Sequence, residues 1–307
     1  MSIMPPSSSD LIFSRVFVCN RDRVWVLSQE KDLIQEEARH TKFLQLHNDS
    51  WIYRRINWDS SAICGTDNPG VQLFVIGVDG EVLNGSTGGF SEEMIDSSHE
   101  GPRSVGYMRD ARYIDGKCYV VGMGRMAYRR EEAGAWNRID AGVRASKGEL
   151  AGFNSVDGMS VTDIYAVGYS GEMWRYDGAF WIHLDSPTNV ALYRVVCDRN
   201  NNMVICCGAG GVVLAGSGDN FVAVGHDVTE DNLYGLEIFK GKVYLASLTK
   251  VYVLEGGGLV EQDLGLGDGL TTGCLHAGDG VLWSAGANHL VYTDDGVLWK
   301  QVFYTGA

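Results

Sequence analysis

The chain has 307 residues, 45% of them hydrophobic and 21% charged, and a formal net charge of −14 at pH 7. Such an acidic balance disfavours nucleic acid, whose phosphates require Lys and Arg, and favours a basic partner. No stretch of about 18 apolar residues occurs, and the opening residues lack a basic segment followed by an apolar run, so neither membrane insertion nor export is expected and the chain is assigned to the cytoplasm.

The opening PPSSSD (5–10) is the only low-complexity piece and reads as a flexible arm over about 1–10 that helps to close the fold. VFVCNRDRVWVLS (16–28) then gives two short apolar runs across a turn, and EKDLIQEEARHTKFLQL (30–46) is the one helix-compatible segment, although two strands fit it as well. From LFVIGVDGEVLNGSTGGF (73–90) onward a single order recurs: apolar run, small turn, apolar run, glycine turn. It returns in CYVVGMGRMAYRREEAGAWNRID (118–140), IYAVGYSGEMWRYDGAFWIHLD (164–185), MVICCGAGGVVLAGSGDNF (203–221), VYLASLTKVYVLEGGGL (243–259) and VLWSAGANHLVYTDDGVLWKQV (281–302). Matching positions in the core runs are Phe17, Phe74, Tyr119, Tyr165, Val204, Tyr244 and Leu282, spaced by 57, 45, 46, 39, 40 and 38 residues. Periods near 40 are the size of a propeller blade.

A further strand precedes each core run, as in NLYGLEIFKGKVYLAS (232–247) and ALYRVVCDRNNNMVICC (191–207), across turns whose residues tolerate positive φ. Three or four short strands are unstable alone but bury their faces when stacked radially. The sequence therefore predicts an all-β fold, a seven-bladed β-propeller of four-stranded antiparallel blades, as a single domain over 1–307 with almost no helix outside 30–46. The 40 glycines suit a chain that reverses every few residues.

Seven cysteines, an odd number without paired spacing, are expected to be reduced packing residues, with Cys19, Cys118, Cys206 and Cys207 on second strands and Cys197 and Cys274 on first strands. Gly208, Gly210 and Gly211 imitate a dinucleotide fingerprint, but a short β-branched run follows where a helix would have to begin, so they are assigned to a hairpin. The seven histidines show no zinc-ligand spacing, and the serines of GSTGG (85–89) and GYSG (168–171) lie in strand-to-strand turns. No catalytic residue, cofactor or metal is expected, and the chain is read as a non-enzyme.

Charge is unevenly placed. Residues 56–102 hold eight acids and no Lys or Arg, residues 200–239 five acids and no base, residues 251–299 seven acids and no base, whereas 103–147 holds ten of the 25 basic residues. Loops on a rigid scaffold usually carry binding residues. The candidate partner-binding residues are Trp51, Tyr53 and Trp58, in a segment (46–58) read as a loop between blades, with Glu92, Glu93, Asp96, Glu100, Asp227, Glu230 and Asp231 in the charged loops that follow. Aromatics beside Arg54 and Arg55 match the composition of interface anchors, and the acids would steer a basic protein.

YTDDGVLWKQV (292–302), RYDGAFWIHL (175–184) and EEAGAWNRI (131–139) set acid, Gly and Trp in a fixed order between third and fourth strands. These hairpins resemble degenerate Asp-boxes of sialidase-like and photosystem-assembly-factor-like propellers, a resemblance that implies an Asp capping the turn and a Trp filling the gap between blades. Sialidase catalysis would further need an arginine cluster around a Tyr and acid pair, and the basic residues here concentrate near one blade. As a whole the chain is similar to the short single-domain propellers found beside type VI secretion effectors. That resemblance implies a monomeric cytosolic immunity protein that binds and occludes a basic toxin, a nuclease above all. An assembly or scaffold factor, and a propeller glycosidase or lyase, are the alternatives.

Overall fold

The computed structural model describes residues 10–146 and 148–306, so the arm expected over about 1–10 falls almost wholly outside the described residues. Twenty-eight strands form seven four-stranded antiparallel sheets, each taken in chain order with every strand paired to its sequence neighbour. The chain is an all-β, seven-bladed propeller. Blades one to seven occupy residues 11–56, 60–94, 108–138, 153–184, 192–223, 235–262 and 273–302. They fall into two compact units: blades two to five in Ser60–Asn232, and blades one, six and seven in Met1–Asp59 with Leu233–Ala307.

The second strand of blade four, Asp163–Gly168, shows why each core run is continuously apolar. Its side chains alternate between two buried faces. Ile164 and Ala166 join Tyr119, Val121 and Ala127 of blade three, while Tyr165 and Val167 join Val195, Val204 and Cys206 of blade five. Tyr119, Tyr165 and Tyr244 occupy equivalent places, each facing the following blade.

The register differs from expectation in three blades. Phe17 lies on the first strand of blade one, Leu11–Asn20, and pairs with Trp25, which is the equivalent second-strand residue. Val204 and Leu282 face the preceding blade, so that Ile205 and Trp283 take the matching positions. With Trp25 as reference the first spacing shortens, and Cys19 moves to a first strand. Of the segment 30–46, only Lys31–Gln35 is helical and Thr41–His47 is a strand, while one further helical turn, Pro102–Val105, lies outside it. Residues 46–58 are likewise not an interblade loop. They hold the hairpin into the outermost strand of blade one, Ser50–Ile56.

Glycine at the end of a second strand answers to crowding and not to a turn. Gly168 and Gly208 are extended, with φ of −158° and −164°. A Cβ on either would fall closer than 3.0 Å to a carbonyl oxygen, that of Gly152 or Ala191, in the segment entering the same blade. The three-residue turns after them do need positive φ, at Ser170 and Gly171 and at Gly210 and Gly211.

The acid–Gly–Trp hairpins close as the resemblance implied in two of three cases. Asp177 Oδ1 accepts from the amides of Ala179 (2.8 Å) and Phe180 (2.7 Å), and Asp295 Oδ1 from Val297 and Leu298 (both 2.8 Å). These amide donors hold both carboxyls below the ordinary aspartate range. Trp181 and Trp299 follow and are buried between blades three and four and blades six and seven. In blade three Trp136 is only half-buried, packing against the cluster between blades two and three and donating to Glu93.

Candidate protein-binding face

In an antiparallel meander the connection from second to third strand leaves at the same end as the connection from fourth strand to the next blade. In the unit of blades two to five this end carries the loops 95–107, 139–152, 185–191 and 224–232 between blades. They are charged because loops stay solvated, yet they are fixed by specific bonds. Asp96 Oδ1 accepts from Ser98 N (2.8 Å) and its Oδ2 from the buried Tyr128 hydroxyl (3.1 Å). Burial acts to raise the Asp96 carboxyl, but these donors outweigh it and leave it below the usual range. Arg125 forks to Glu172 (2.6 Å) and Glu149 (2.8 Å), and Glu172 also accepts from Gly152 N (3.1 Å), which pins 149–152 to blades three and four.

The candidate acids divide accordingly. The Glu93 side chain is 4% exposed and forms a two-point pair with Arg130, at 2.9 and 2.6 Å, while accepting from Trp136 Nε1 at 3.2 Å. Burial works against its charge, but Arg130 and the other donors more than compensate, so its carboxyl lies low. Glu100 pairs with Arg138, whose charge and hydrogen bond lower it too. Glu92, Asp227, Glu230 and Asp231 are exposed and carry no ion pair among the described residues. Of the seven acids expected to face a partner, Glu93 and Asp96 are thus engaged in bonds that hold the fold together. The basic run 103–147 is largely neutralised in the same way: Arg103 meets Glu81, Arg112 meets Asp157, and Arg138 and Arg144 share Asp140.

The aromatic candidates lie in the other unit. Trp51 is 8% exposed, packs edge-on against Tyr304 and donates to Phe303 O at 3.1 Å. It is core and not an exposed anchor, because strand alternation turns it inward. Tyr53 is half exposed and covers the ammonium of the buried Lys42, 4.4 Å from its ring centroid, beside Glu30 at 3.4 Å. Trp58 is half-buried, and its carbonyl accepts from Thr41 Oγ1.

Sequence reasoning missed a polar lattice on the first strands of blades three to five. Asp110 accepts from Arg194 (2.7 Å), Ser155 Oγ (2.7 Å) and Val156 N (3.1 Å). Burial opposes its charge, but Arg194, Ser155 and Arg112 together hold the carboxyl low. Asp157 binds Arg112 and the amides of Gly158 and Cys197. Charged residues inside MRDARYI (108–114) were the available signal. Carboxylates so fully bonded are turned to structural use, which suits a scaffold better than general acid–base work. Among the described residues no group of three His, Cys, Asp or Glu is placed to hold a metal ion, and no helix is long and apolar enough to cross a membrane. All seven cysteines are buried thiols outside any disulfide.

No protein-family model matches the chain. Among solved structures it is similar to YCF48 from Cyanidioschyzon merolae (TM-score 0.69, 13% identity, 94% of this chain and 98% of that one). It is also similar to the WD40 β-propeller domain of Doa1 (TM-score 0.68, 11% identity, 94% and 95%). At these identities the likeness is one of fold alone. The sequence relation is different in kind: over 302 residues, 95% of this chain and 97% of the relative, it is 32% identical to the immune protein Tsi7 of Pseudomonas aeruginosa. With identity at that level along nearly the full length of both proteins, the chain belongs to the family of immunity proteins that Tsi7 represents.

Proposed function

We propose that this immunity protein acts by binding and occluding a basic toxin domain, a nuclease delivered by type VI secretion, in the cytoplasm and without chemistry of its own. The full-length relation to an immune protein carries this reading. The exposed acids Glu92, Asp227, Glu230 and Asp231 support the basic partner, since a nuclease surface is positive where it holds phosphate and an opposed acidic surface steers association. The bonded state of Asp110 and Asp157 supports a binding role over catalysis.

The test is co-expression with the toxin domain encoded beside the gene. The expected result is survival and intact cellular DNA with the protein present, and stoichiometric recovery of a one-to-one complex. Toxicity unchanged by co-expression would refute the reading. Protection without a complex would leave immunity standing and remove occlusion as its mechanism.

A further inference from the structure

The loop end of blades three and four carries exposed apolar surface that charge steering does not explain. Tyr107 is 59% exposed, Leu150 74% and Val105 39%. The first and third lie in the loop entering blade three, the second in the loop entering blade four, and Met123 joins the two loops. Met123 N donates to Tyr107 O at 2.9 Å, and Met123 forms a strand bridge with Gly152. The Tyr169 hydroxyl donates to Met123 Sδ at 3.6 Å and accepts from Arg109 Nη2 at 2.5 Å. Arg109 stacks over the Tyr169 ring at 5.2 Å, and its buried Nε has no hydrogen-bond partner among the described residues.

The patch therefore combines Tyr, Leu, Met and Arg, of which Tyr and Arg are enriched among residues that dominate binding energy. Its loops are also fixed before any partner arrives, by the Asp96 cap on one side and the Arg125 fork on the other, which lowers the ordering cost of binding. The neighbouring bases Arg103, Arg125 and Arg144 are each paired to a carboxylate, while Asp227, Glu230 and Asp231 at the same end of this unit carry no ion pair among the described residues. Arg109 bonds to the neutral Asn154 and Tyr169, so the charge left open at this end is acidic on balance, with three such acids against one cation. A second copy of the chain is a poor occupant, because a self-complementary contact would bring like charges together.

We infer that Tyr107 and Leu150, backed by Met123 and Tyr169, form the anchor on which the toxin seats an apolar prominence ringed by Lys and Arg. The inference rests on the proposed toxin-binding function and names its surface. Surface plasmon resonance with the toxin domain encoded beside the gene, inactivated by substitution, tests it. Tyr107→Ala and Leu150→Asp should each weaken binding tenfold or more through faster dissociation, with unfolding midpoints unchanged because both side chains are exposed. Phe180→Asp, equally exposed at 68% but on the hairpin at the opposite end of blade four, should stay within twofold of wild type. Wild-type binding with less than tenfold loss in both anchor variants, or an equal loss for Phe180→Asp, overturns the anchor and leaves the proposed function intact. Absence of wild-type binding overturns both.

Discussion

Replacing Glu93 distinguishes a structural carboxylate from a steering one. In Glu93→Ala the Arg130 guanidinium, 10% exposed, loses both of its carboxylate bonds and becomes a charge held away from water over the Phe74 ring. Removing one member of a buried pair in this way costs about 3–5 kcal/mol, since the remaining charge keeps its desolvation penalty without its partner. Glu93→Gln keeps the shape and one acceptor but loses the charge assistance, for a cost of roughly 1.5–3 kcal/mol. The adjacent Glu92 points to solvent, so Glu92→Ala should fall within about 0.5 kcal/mol of wild type. Equilibrium urea unfolding followed by tryptophan fluorescence, comparing midpoints at equal slopes, gives the ranking. Replacing the pair together, as Glu93→Leu with Arg130→Met, should recover most of the loss. A Glu93→Ala variant as stable as Glu92→Ala would refute the assignment of Glu93 to the fold.

Reversing Glu92, Asp227, Glu230 and Asp231 to Lys should slow association with the toxin by roughly tenfold at low salt and leave dissociation nearly unchanged, as rim charges act on encounter; salt-independent kinetics would contradict this. Gly208→Ala should lower the urea midpoint substantially although its φ suits alanine, because the new Cβ meets the Ala191 carbonyl; an unchanged midpoint would show that the entering segment yields. Asp177→Ala and Asp295→Ala should each destabilise at pH 7. Their folded carboxyls lie below the unfolded value of about 3.9, so this stability is present above that pH and fades as pH falls through the folded value, closing the gap to wild type in acid. Burial raises the thiols of Cys118, Cys197, Cys206 and Cys207, the last to about 12, and all seven cysteines are buried, so native protein should react negligibly with a thiol reagent at pH 8 while unfolded protein exposes all seven.

Seven four-stranded blades, the turns between their strands and the two Asp-capped hairpins are legible in the sequence because they are local: alternation, a reversal and a side chain bonding its own turn all act within a few residues. The register of blade one is not, since the apolar runs holding Phe17 and Trp25 look alike and face the same way, and only strand pairing tells them apart, Arg23–Glu30 being paired on both edges and Leu11–Asn20 on one. The fate of the charges is also decided by tertiary structure. Arg103, Arg130 and Arg138 reach back to Glu81, Glu93 and Glu100, so the basic run partly neutralises the acidic stretch before it, and Arg194 reaches Asp110 across 84 residues. Asp227, Glu230 and Asp231 keep the exposure their loop implied, and Glu92 keeps it from the outermost strand of blade two where a loop was expected, while Trp51 shows that an aromatic beside arginines is as readily core as surface. Tyr107 and Leu150 carried no signal at all. A lone apolar residue in a polar loop has no period, and it becomes part of a surface only when folding brings two such loops together.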